Sequence, residues 1–382
     1  MIQALQDVLA AAGAIFADGM VVSFGNDGLA HAAAKQGVAV CSRTHWGRIQ
    51  VSDDDGLRFL HNQTTNDFQS LKPGQGCDTV FVSSTARTID LVTAYVTSDS
   101  VLLLVSPNRR QQLIEWMDRY LFPMDRVQLK DVTEDTATFS IIGPESDALL
   151  NKLGATAIVG QPYASHQLLQ IPPNPPYQGG DLSVNLPDQG ENLSVTPPDQ
   201  GGGGGDQIEV RVAVGSGLAI PGYTLIVPRE KGAALWKKLV EVGGVPMGDR
   251  VWEQLRIEQG RPVPDCELTD DYNPLEAGLW QTISFNKGCY IGQETIARLN
   301  TYKGVKQQLW GVRLNAPAAP GTPVTIGEEK IGKLTSYTET EQGPFGLAYI
   351  RTKAGGEGLK VQVGDSEGEV VDVPFLTREP NS

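Results

Sequence analysis

Cysteine is scarce in this 382-residue chain, and the four cysteines present are scattered. No two of them have C-x-x-C spacing, so the sequence indicates neither a zinc site nor a disulfide framework. The four histidines are scattered as well, and we predict no metal site. Unpaired thiols are typical of a reducing compartment, so we expect a cytoplasmic protein. The cysteines are Cys41, Cys77, Cys266 and Cys289.

Basic residues are also in short supply, since 31 Lys and Arg face 45 Asp and Glu and leave a net charge of −14. This balance disfavours direct DNA binding and anionic-membrane binding, because both depend on a basic surface. Long apolar runs are missing too, and none reaches the ~18 residues of a membrane-spanning helix. Residues 2–16 include Asp7 and lack a basic n-region, which favours an amphipathic helix over a signal peptide.

Short strand-like runs and helical patterns interleave through most of the chain. Residues 79–82, 91–96 and 101–105 are typical of strands, and residues 56–68 have a helical pattern. Because the order lacks a strict strand–helix–strand rhythm, the predicted fold class is α+β. From residue 307 onward, short strands between Gly and Pro clusters predict a small β-barrel or sandwich.

Residues 171–206 interrupt this order with an imperfect repeat marked by Gln178, Gln189 and Gln200. Pro, Gly, Asp and Asn dominate the segment, so it buries too little apolar area to offset the entropy of ordering it. A solenoid would need longer and less polar copies. We predict a disordered or loosely ordered surface loop, inserted within a domain.

The stretch from Arg256 to Arg298 carries the strongest chemical pattern. It contains R-x-E-x-G at the end of a predicted helix, then NPLEAGL with the carboxylate of Glu276, then FNKGCYIGQE. In the last motif, Lys287 stands two positions before Cys289 on a glycine turn. A nearby ammonium favours the reactive thiolate form of a cysteine. The alternative is a small, buried and inert cysteine.

This stretch resembles the aminomethyltransferase superfamily of the glycine-cleavage T-protein (GcvT). There, R-x-E-x-G, P-x-E-A-G-L and F-x-K-G-x-[FY]-I-G-[QR]-E follow in the same order. The cysteine after Lys-Gly is similar to that of the YgfZ branch, folate-binding proteins tied to iron–sulfur cluster assembly or repair. The resemblance implies that Cys289 is the functional thiol. We also expect Arg256, Glu276 and Lys287 to be among the residues that bind the folate cofactor.

The N-terminal half resembles the same superfamily around WGRIQVSDDDGLRFLHNQTTNDF, which begins at Trp46 and ends in a Thr-Asn-Asp turn. A tryptophan at this position contacts the pterin in YgfZ-type proteins, and a flat indole suits stacking on a pteridine ring. The resemblance therefore implies that Trp46 binds the cofactor. The alternative is a core aromatic residue at the start of a strand.

The run SSTARTIDLVTAYV resembles a T-protein hairpin in which an aspartate lies beside the folate nitrogen that receives the one-carbon unit. Asp90 matches the first of two adjacent aspartates there, which implies a catalytic and folate-binding role. We expect the nearby Arg87 to bind the folate as well. A surface-facing strand aspartate is the alternative. A second strand departs from the T-protein pattern, because Thr224 replaces a glutamate that would hydrogen-bond the pterin. Its neighbour Tyr223 is expected to supply an aromatic wall.

The resemblance implies a three-lobed ring with tetrahydrofolate, or a one-carbon derivative, in its central channel. The expected divisions are an N-terminal α+β folate-binding lobe at 1–170, the insertion at 171–206, a second α+β lobe at 207–306 and the β-barrel at 307–382.

The leading functional hypothesis is a tetrahydrofolate-binding accessory protein for iron–sulfur cluster assembly or repair. Its expected partners are folate, iron–sulfur assembly proteins and client enzymes, tRNA-modifying ones among them. One alternative is a folate-dependent aminomethyltransferase or methyltransferase that uses Asp90. A folate-binding module without chemistry is the other.

Overall fold

The computed structural model describes residues 2–172 and 207–380. The helices are α1 (Ile2–Ala11), α2 (Asp27–Gln36), α3 (Gly56–Gln63), α4 (Arg110–Asp118), α5 (Ser146–Lys152), α6 (Gly232–Glu241), α7 (Asp249–Gln259) and α8 (Gln293–Thr301). The strands are β1 (Ile15–Ala17), β2 (Met20–Ser23), β3 (Ala39–Ser42), β4 (Gly47–Ser52), β5 (Gly76–Val82), β6 (Thr88–Val96), β7 (Ser100–Val105), β8 (Gln128–Asp131), β9 (Thr136–Ile142), β10 (His166–Ile171), β11 (Ile208–Val214), β12 (Gly222–Pro228), β13 (Val245–Met247), β14 (Gln307–Leu314), β15 (Pro323–Ile326), β16 (Glu329–Thr340), β17 (Gly343–Arg351), β18 (Lys360–Val363) and β19 (Ser366–Val371). The loop predicted at 171–206 lies, from residue 173 on, outside the described residues.

A five-stranded antiparallel sheet has the order β5-β6-β7-β4-β8. Its strands are rich in β-branched and aromatic residues, which suit a pleated and half-buried surface. One face packs against α3 and α4, where Leu60, Phe81 and Met117 are fully buried. This sheet positions Asp90, which lies in β6 opposite Phe81 of β5.

A six-stranded sheet has the order β10-β11-β12-β9-β3-β13, and only the β13–β3 pair is parallel. Strands β10 and β11 pair from His166↔Ala213 to Ile171↔Ile208, so the two strands that flank residues 173–206 are hydrogen-bonded neighbours. The sheet takes strands from both sides of residue 170. The expected division at that residue therefore does not coincide with a sheet boundary.

The last six strands close into a barrel of order β14-β17-β16-β15-β18-β19, in which β14 pairs with both β17 and β19. The predicted α+β class with a C-terminal β-barrel is thereby confirmed. Within the part of the chain that the structure describes, none of the helices has the length and apolar character needed to cross a membrane.

Helix α3 ends at Gln63, although a helical pattern was predicted through Phe68. Thr64 is extended, with φ −128° and ψ 172°. The Nζ of Lys287 donates hydrogen bonds to the carbonyl oxygens of Thr64 and Asn66, at 2.8 and 2.7 Å. The helix ends early where the Lys287 side chain binds the carbonyl of Thr64, which a further helical turn would have paired with the N–H of Phe68.

Helix α7 joins the α+β part of the chain to the barrel. Arg256 on this helix forms an ion pair with Glu267, with 2.9 Å between Nη1 and Oε2. Gly260 ends the helix at φ +84°, and a Cβ there would lie 2.3 Å from a side-chain carbon of Val373. A glycine is therefore required both by the left-handed cap and by the close approach of the C-terminal segment.

Candidate active site

A cavity of about 570 Å³ lies where the two large sheets meet the C-terminal segment. Its volume falls within the range of small-molecule and cofactor sites. One wall comes from β5, another from β12 and its preceding loop, and a third from the residues that follow the barrel. Its lining includes Asp78, Tyr163, Leu218, Tyr223, Gln281 and Phe375.

Two tyrosine–carboxylate pairs are among the polar groups of this cavity. The hydroxyl of Tyr163 donates to Asp78 at 2.7 Å, and Thr93 donates to the same carboxyl group at 2.7 Å. Burial raises the pKa of Asp78, against the effect of these hydrogen bonds. On the opposite wall, the hydroxyl of Tyr223 donates to Asp147, and burial together with this bond raises the pKa of Tyr223.

Two tryptophans form an aromatic layer in the apolar core beside this cavity. Trp46 and Trp252 meet edge to face, with ring centroids 5.4 Å apart and planes at 75°. Trp46 is only 3% exposed, yet it also borders a second, mainly apolar cavity of about 360 Å³ together with Pro107 and Val263. The predicted stacking residue is thus both part of the core and part of a cavity wall.

Two buried arginines cover the aromatic layer. The Cζ of Arg43 lies 3.7 Å from the centroid of the Trp46 ring, and the Cζ of Arg261 lies 5.2 Å from it. Burial and the neighbouring charge of Arg261 lower the pKa of Arg43 to about 10. The backbone of Gly217, at φ +86°, lies so close to Arg43 that a Cβ there would be 2.6 Å from its Nη1. Only glycine fits at this position.

Asp90 is fully buried, so the alternative of a surface-facing aspartate is wrong. The backbone N–H of Ser106 donates to its Oδ2 at 2.9 Å, and the Ser106 hydroxyl donates to its Oδ1 at 2.6 Å. Burial raises the pKa of Asp90 to about 6, against these hydrogen bonds and the charges of Arg261 and Arg109. This carboxyl group therefore titrates close to neutral pH, and it belongs to the same charged cluster as Arg261.

Lys287 and Cys289 lie in a different place, at the C-terminal end of α3. The Nζ of Lys287 donates to three backbone carbonyls, those of His61, Thr64 and Asn66. Burial lowers the pKa of Lys287 to about 7, against the attraction of nearby acidic groups. This ammonium fastens the KGCYIGQE turn to α3, and Cys289 is free and exposed on the turn.

Three further predicted cofactor-binding residues lie elsewhere. Arg87 donates to the carbonyl of Asp271 at 2.8 Å, and its charge acts on the buried carboxyl group of Glu276. Burial raises the pKa of Glu276. Arg256 is 1% exposed, and its guanidinium is occupied by carboxylates and a serine hydroxyl at the barrel. The structure therefore does not bring Arg256 to the cavity.

Sequence reasoning missed Arg43, Asp78, Tyr163 and Arg261. Arg43 stands three positions before Trp46, and Arg261 directly follows the R-x-E-x-G motif. Proximity to these motifs was the available signal, but arginines are mostly exposed in proteins. Their burial became apparent only when the three parts of the chain were packed together.

Two large sheets that meet at a cavity lined by aromatic and acidic residues, followed by a closed C-terminal barrel, are the arrangement of the aminomethyltransferase class of folds. The crystal structure of glycine cleavage system aminomethyltransferase T from Bartonella henselae matches with a TM-score of 0.79 over 99% of both chains, at 18% identity. At that identity the match shows the fold.

Sequence comparison extends this result to a family. Residues 7–170 match the GCVT N-terminal domain model. A chloroplastic protein of Arabidopsis thaliana, named as a candidate transferase, is 43% identical over 378 residues, which are 98% of this chain and 80% of that protein. The aminomethyltransferase of Rubrobacter xylanophilus is 26% identical over 92% of this chain and 86% of its own length. The chain belongs to the GCVT family of aminomethyltransferase-like proteins.

Proposed function

We propose that this chain binds a reduced folate in the 570 Å³ cavity and transfers a one-carbon group, as a folate-dependent transferase of the aminomethyltransferase type. The observation that carries the proposal is Asp90, a buried carboxyl group with a pKa of about 6 that lies behind the cavity lining, where Arg261 feels its charge together with that of Asp78 on the cavity wall. When a folate amine attacks a one-carbon donor, a carbon–nitrogen bond forms, the bond from that carbon to its leaving group on the donor breaks with the electron pair going to the leaving group, and the folate nitrogen loses a proton. A carboxylate with this pKa is suited to accept that proton at neutral pH.

The side chains of the cavity fit a pteridine. Tyr163, Tyr223 and Phe375 supply aromatic walls, and Trp46 lies in the adjoining layer. Thr224 cannot supply a charged acceptor, and its hydroxyl already donates to the carbonyl of Gly215 at 2.8 Å. In our proposal Asp78, which faces the cavity, takes over that role toward the amino-pyrimidine edge of the pterin. Tetrahydrofolate supplies the reacting amine, and this chain supplies orientation and a proton acceptor.

Calorimetric titration with tetrahydrofolate and 5-formyl-tetrahydrofolate tests this proposal. We expect saturable binding that weakens in the Trp46→Ala variant, because loss of this indole removes the ring on which Arg43 stacks and loosens the layer that adjoins the cavity. Trp310→Ala is the matched control, because that indole also lies under an arginine, Arg378, but belongs to the barrel. Absence of binding to the folded wild-type protein under reducing conditions would refute the folate site.

A second candidate is the accessory role in iron–sulfur cluster assembly or repair, in the manner of the YgfZ branch. It is favoured by the exposure of Cys289 on an anchored turn. The Arabidopsis relative is chloroplastic by name, so the cytoplasmic location of this chain stays a prediction.

The four thiols differ in accessibility, and we expect Cys289 to be alkylated first. Cys41 is buried, and burial raises the pKa of its thiol to about 12, while burial also raises the pKa values of Cys77 and Cys266. Mass spectrometry after brief iodoacetamide treatment measures the order of labelling. In cells, Cys289→Ser should lower iron–sulfur enzyme activities while folate affinity changes less than about twofold. Unchanged enzyme activities would exclude the accessory role of this thiol.

A further inference from the structure

Two buried arginines, Arg43 and Arg261, leave most of their hydrogen-bond donors without a partner among the described residues. Arg43 is 2% exposed and Arg261 is 3% exposed. A guanidinium carries five N–H donors. Arg43 makes two long bonds of 3.3 Å, to Ser140 and Ser216, and Arg261 makes one of 3.3 Å to the carbonyl of Pro262. Within the part of the chain that the structure describes, the Nε atoms of both arginines have no hydrogen-bond partner.

The guanidinium groups of these two side chains lie over aromatic rings and do not pair with carboxylates of the described residues. Arg43 lies flat over Trp46, with 3.7 Å between Cζ and the ring centroid. Arg261 lies 5.2 Å from the same centroid and 5.8 Å from that of Phe375. Stacking uses the face of a guanidinium and leaves the in-plane N–H groups directed at whatever lies beside it.

The chain satisfies a comparable arginine fully only a few residues away. Arg48 is 0% exposed, and its Nε donates to the hydroxyl of Thr136 at 2.9 Å. Its terminal nitrogens donate to the carbonyls of Thr44 and Thr136, each at 2.8 Å. A buried N–H group without an acceptor costs free energy, so the donors of buried arginines are usually all bonded, as those of Arg48 are. Arg43 and Arg261 depart from this rule.

The carboxyl groups that feel the charge of these arginines, Asp78, Asp90 and Asp249, form no ion pair with either of them among the described residues. In the described ranges, 2–172 and 207–380, neither Arg43 nor Arg261 forms an ion pair. Asp78 and Asp90 are close enough to act on the pKa of Arg261, but they accept hydrogen bonds from Tyr163, Thr93 and Ser106 instead. The arginines lie behind the cavity lining: the ring of Phe375, which lines the cavity, is 5.8 Å from Arg261, and Gly217, next to the lining residue Leu218, lies against Arg43.

We propose that Arg43 and Arg261 form a carboxylate-binding subsite on the buried side of this cavity. A carboxylate accepts parallel hydrogen bonds from a guanidinium fork, which matches the donors left free here. The proposal rests on the proposed function, because folate-dependent transfer offers two sources of that group. One is the benzoylglutamate tail of the folate, and the other is a small organic acid that gives or takes the one-carbon unit.

Quenching of tryptophan fluorescence measures binding at this subsite, since Trp46 lies against both arginines. The probes are tetrahydrofolate, p-aminobenzoylglutamate as the tail alone, 6-methyltetrahydropterin as the head without a carboxylate, and acetate and glycine as small acids. We expect Arg261→Met to weaken a carboxylate probe about tenfold to a hundredfold, the loss for a buried charged hydrogen bond. The affinity of 6-methyltetrahydropterin should change less than about twofold.

The pattern of losses distinguishes the two sources. If the folate tail is the ligand, tetrahydrofolate and p-aminobenzoylglutamate weaken together. If a separate acid is the ligand, acetate or glycine binds saturably to the wild type and loses this binding in the variant, while tetrahydrofolate affinity is kept. Absence of 6-methyltetrahydropterin binding would count against the proposed function alone, because the carboxylate probes report on the arginines independently.

Thermal stability without ligand supplies a second measurement. Removing a buried charge that lacks partners should leave the melting temperature of Arg261→Met unchanged or higher. Arg48→Met, the matched control, should melt several degrees lower because it leaves the carbonyls of Thr44 and Thr136 without their donors. The proposal is overturned if no carboxylate probe changes its affinity in Arg261→Met and in Arg43→Met, or if both variants lose as much stability as Arg48→Met.

Discussion

The Arg256→Met variant is expected to lose about 3–5 kcal/mol of unfolding free energy, because it leaves Glu267 as an unpaired buried charge. Glu267 is 0% exposed. Its Oε2 accepts from Arg256 at 2.9 Å, and its Oε1 accepts from the hydroxyls of Thr335 and Ser336 at 2.7 and 2.6 Å. The network fastens α7 to the barrel, so its loss should loosen the whole C-terminal part. Urea denaturation followed by circular dichroism measures the change.

A double variant separates the ion pair from simple packing. Replacing Arg256 by Met and Glu267 by Leu together should recover most of the stability, since an apolar pair of similar volume is often as stable as a buried ion pair. Arg378→Met is the matched control, because its partner Asp372 is more than half exposed and such pairs contribute ~0–1 kcal/mol. A loss below 1 kcal/mol in Arg256→Met would contradict the expectation.

The motifs that reveal the superfamily belong mostly to the scaffold. In R-x-E-x-G, Arg256 binds the barrel, Glu258 binds His31 at 2.9 Å and Lys35 at 2.8 Å on α2, and Gly260 caps α7. Lys287 likewise fastens its turn to α3. These side chains fix how the parts of the chain meet. They determine where the parts of the chain form the site, but they do not line it. The motifs therefore identify the family without identifying the residues that carry out the chemistry.

Local elements could be predicted well because their signals are local. The pattern of the β-barrel and the strands around Asp90 follow from alternating apolar residues and Gly or Pro turns. The bounds 249–259 of α7 agree with its periodicity and its terminal glycine. Helix α3 was predicted too long because its end depends on Lys287, more than two hundred residues away.

The candidate site was harder to predict because it is assembled from distant segments. Arg43, Asp78 and Arg261 carry no local sign that they are buried, and each would ordinarily be placed on the surface. Asp90 was identified through the resemblance to the T-protein hairpin and through its position between Ile89 and Leu91 in a strand. Its pKa depends on Ser106 and on the charges of Arg261 and Arg109, which no strand pattern reveals. Burial of charge is a property of the packed molecule and is not encoded in any one segment.

The second large effect is expected in Asp90→Asn, which should lose about a hundredfold or more of its one-carbon transfer rate. Asparagine keeps the shape of the side chain and an acceptor for Ser106, but it cannot accept a proton as a carboxylate does. Burial raises the pKa of Asp90 to about 6, so the deprotonated form predominates only above that pH. The wild-type rate should therefore rise with pH up to about 6 and level off above it, whereas the variant should show no such rise. Aminomethyl transfer from a lipoylated carrier to tetrahydrofolate is the assay.

Stability measurements show whether the loss is chemical rather than structural. Because folding raises the pKa of Asp90, the native state holds the proton more tightly, and the carboxyl group contributes stability that is lost as pH rises through about 6. Replacing it by Asn removes that loss, so at pH 7 the variant should be at least as stable as the wild type. Asp99→Asn is the control, since that exposed aspartate in the turn between β6 and β7 contacts only Thr97 and Ser100 among the described residues. A variant that keeps more than a tenth of the rate and the wild-type pH profile would remove Asp90 from the reaction and leave the cavity with a binding role alone.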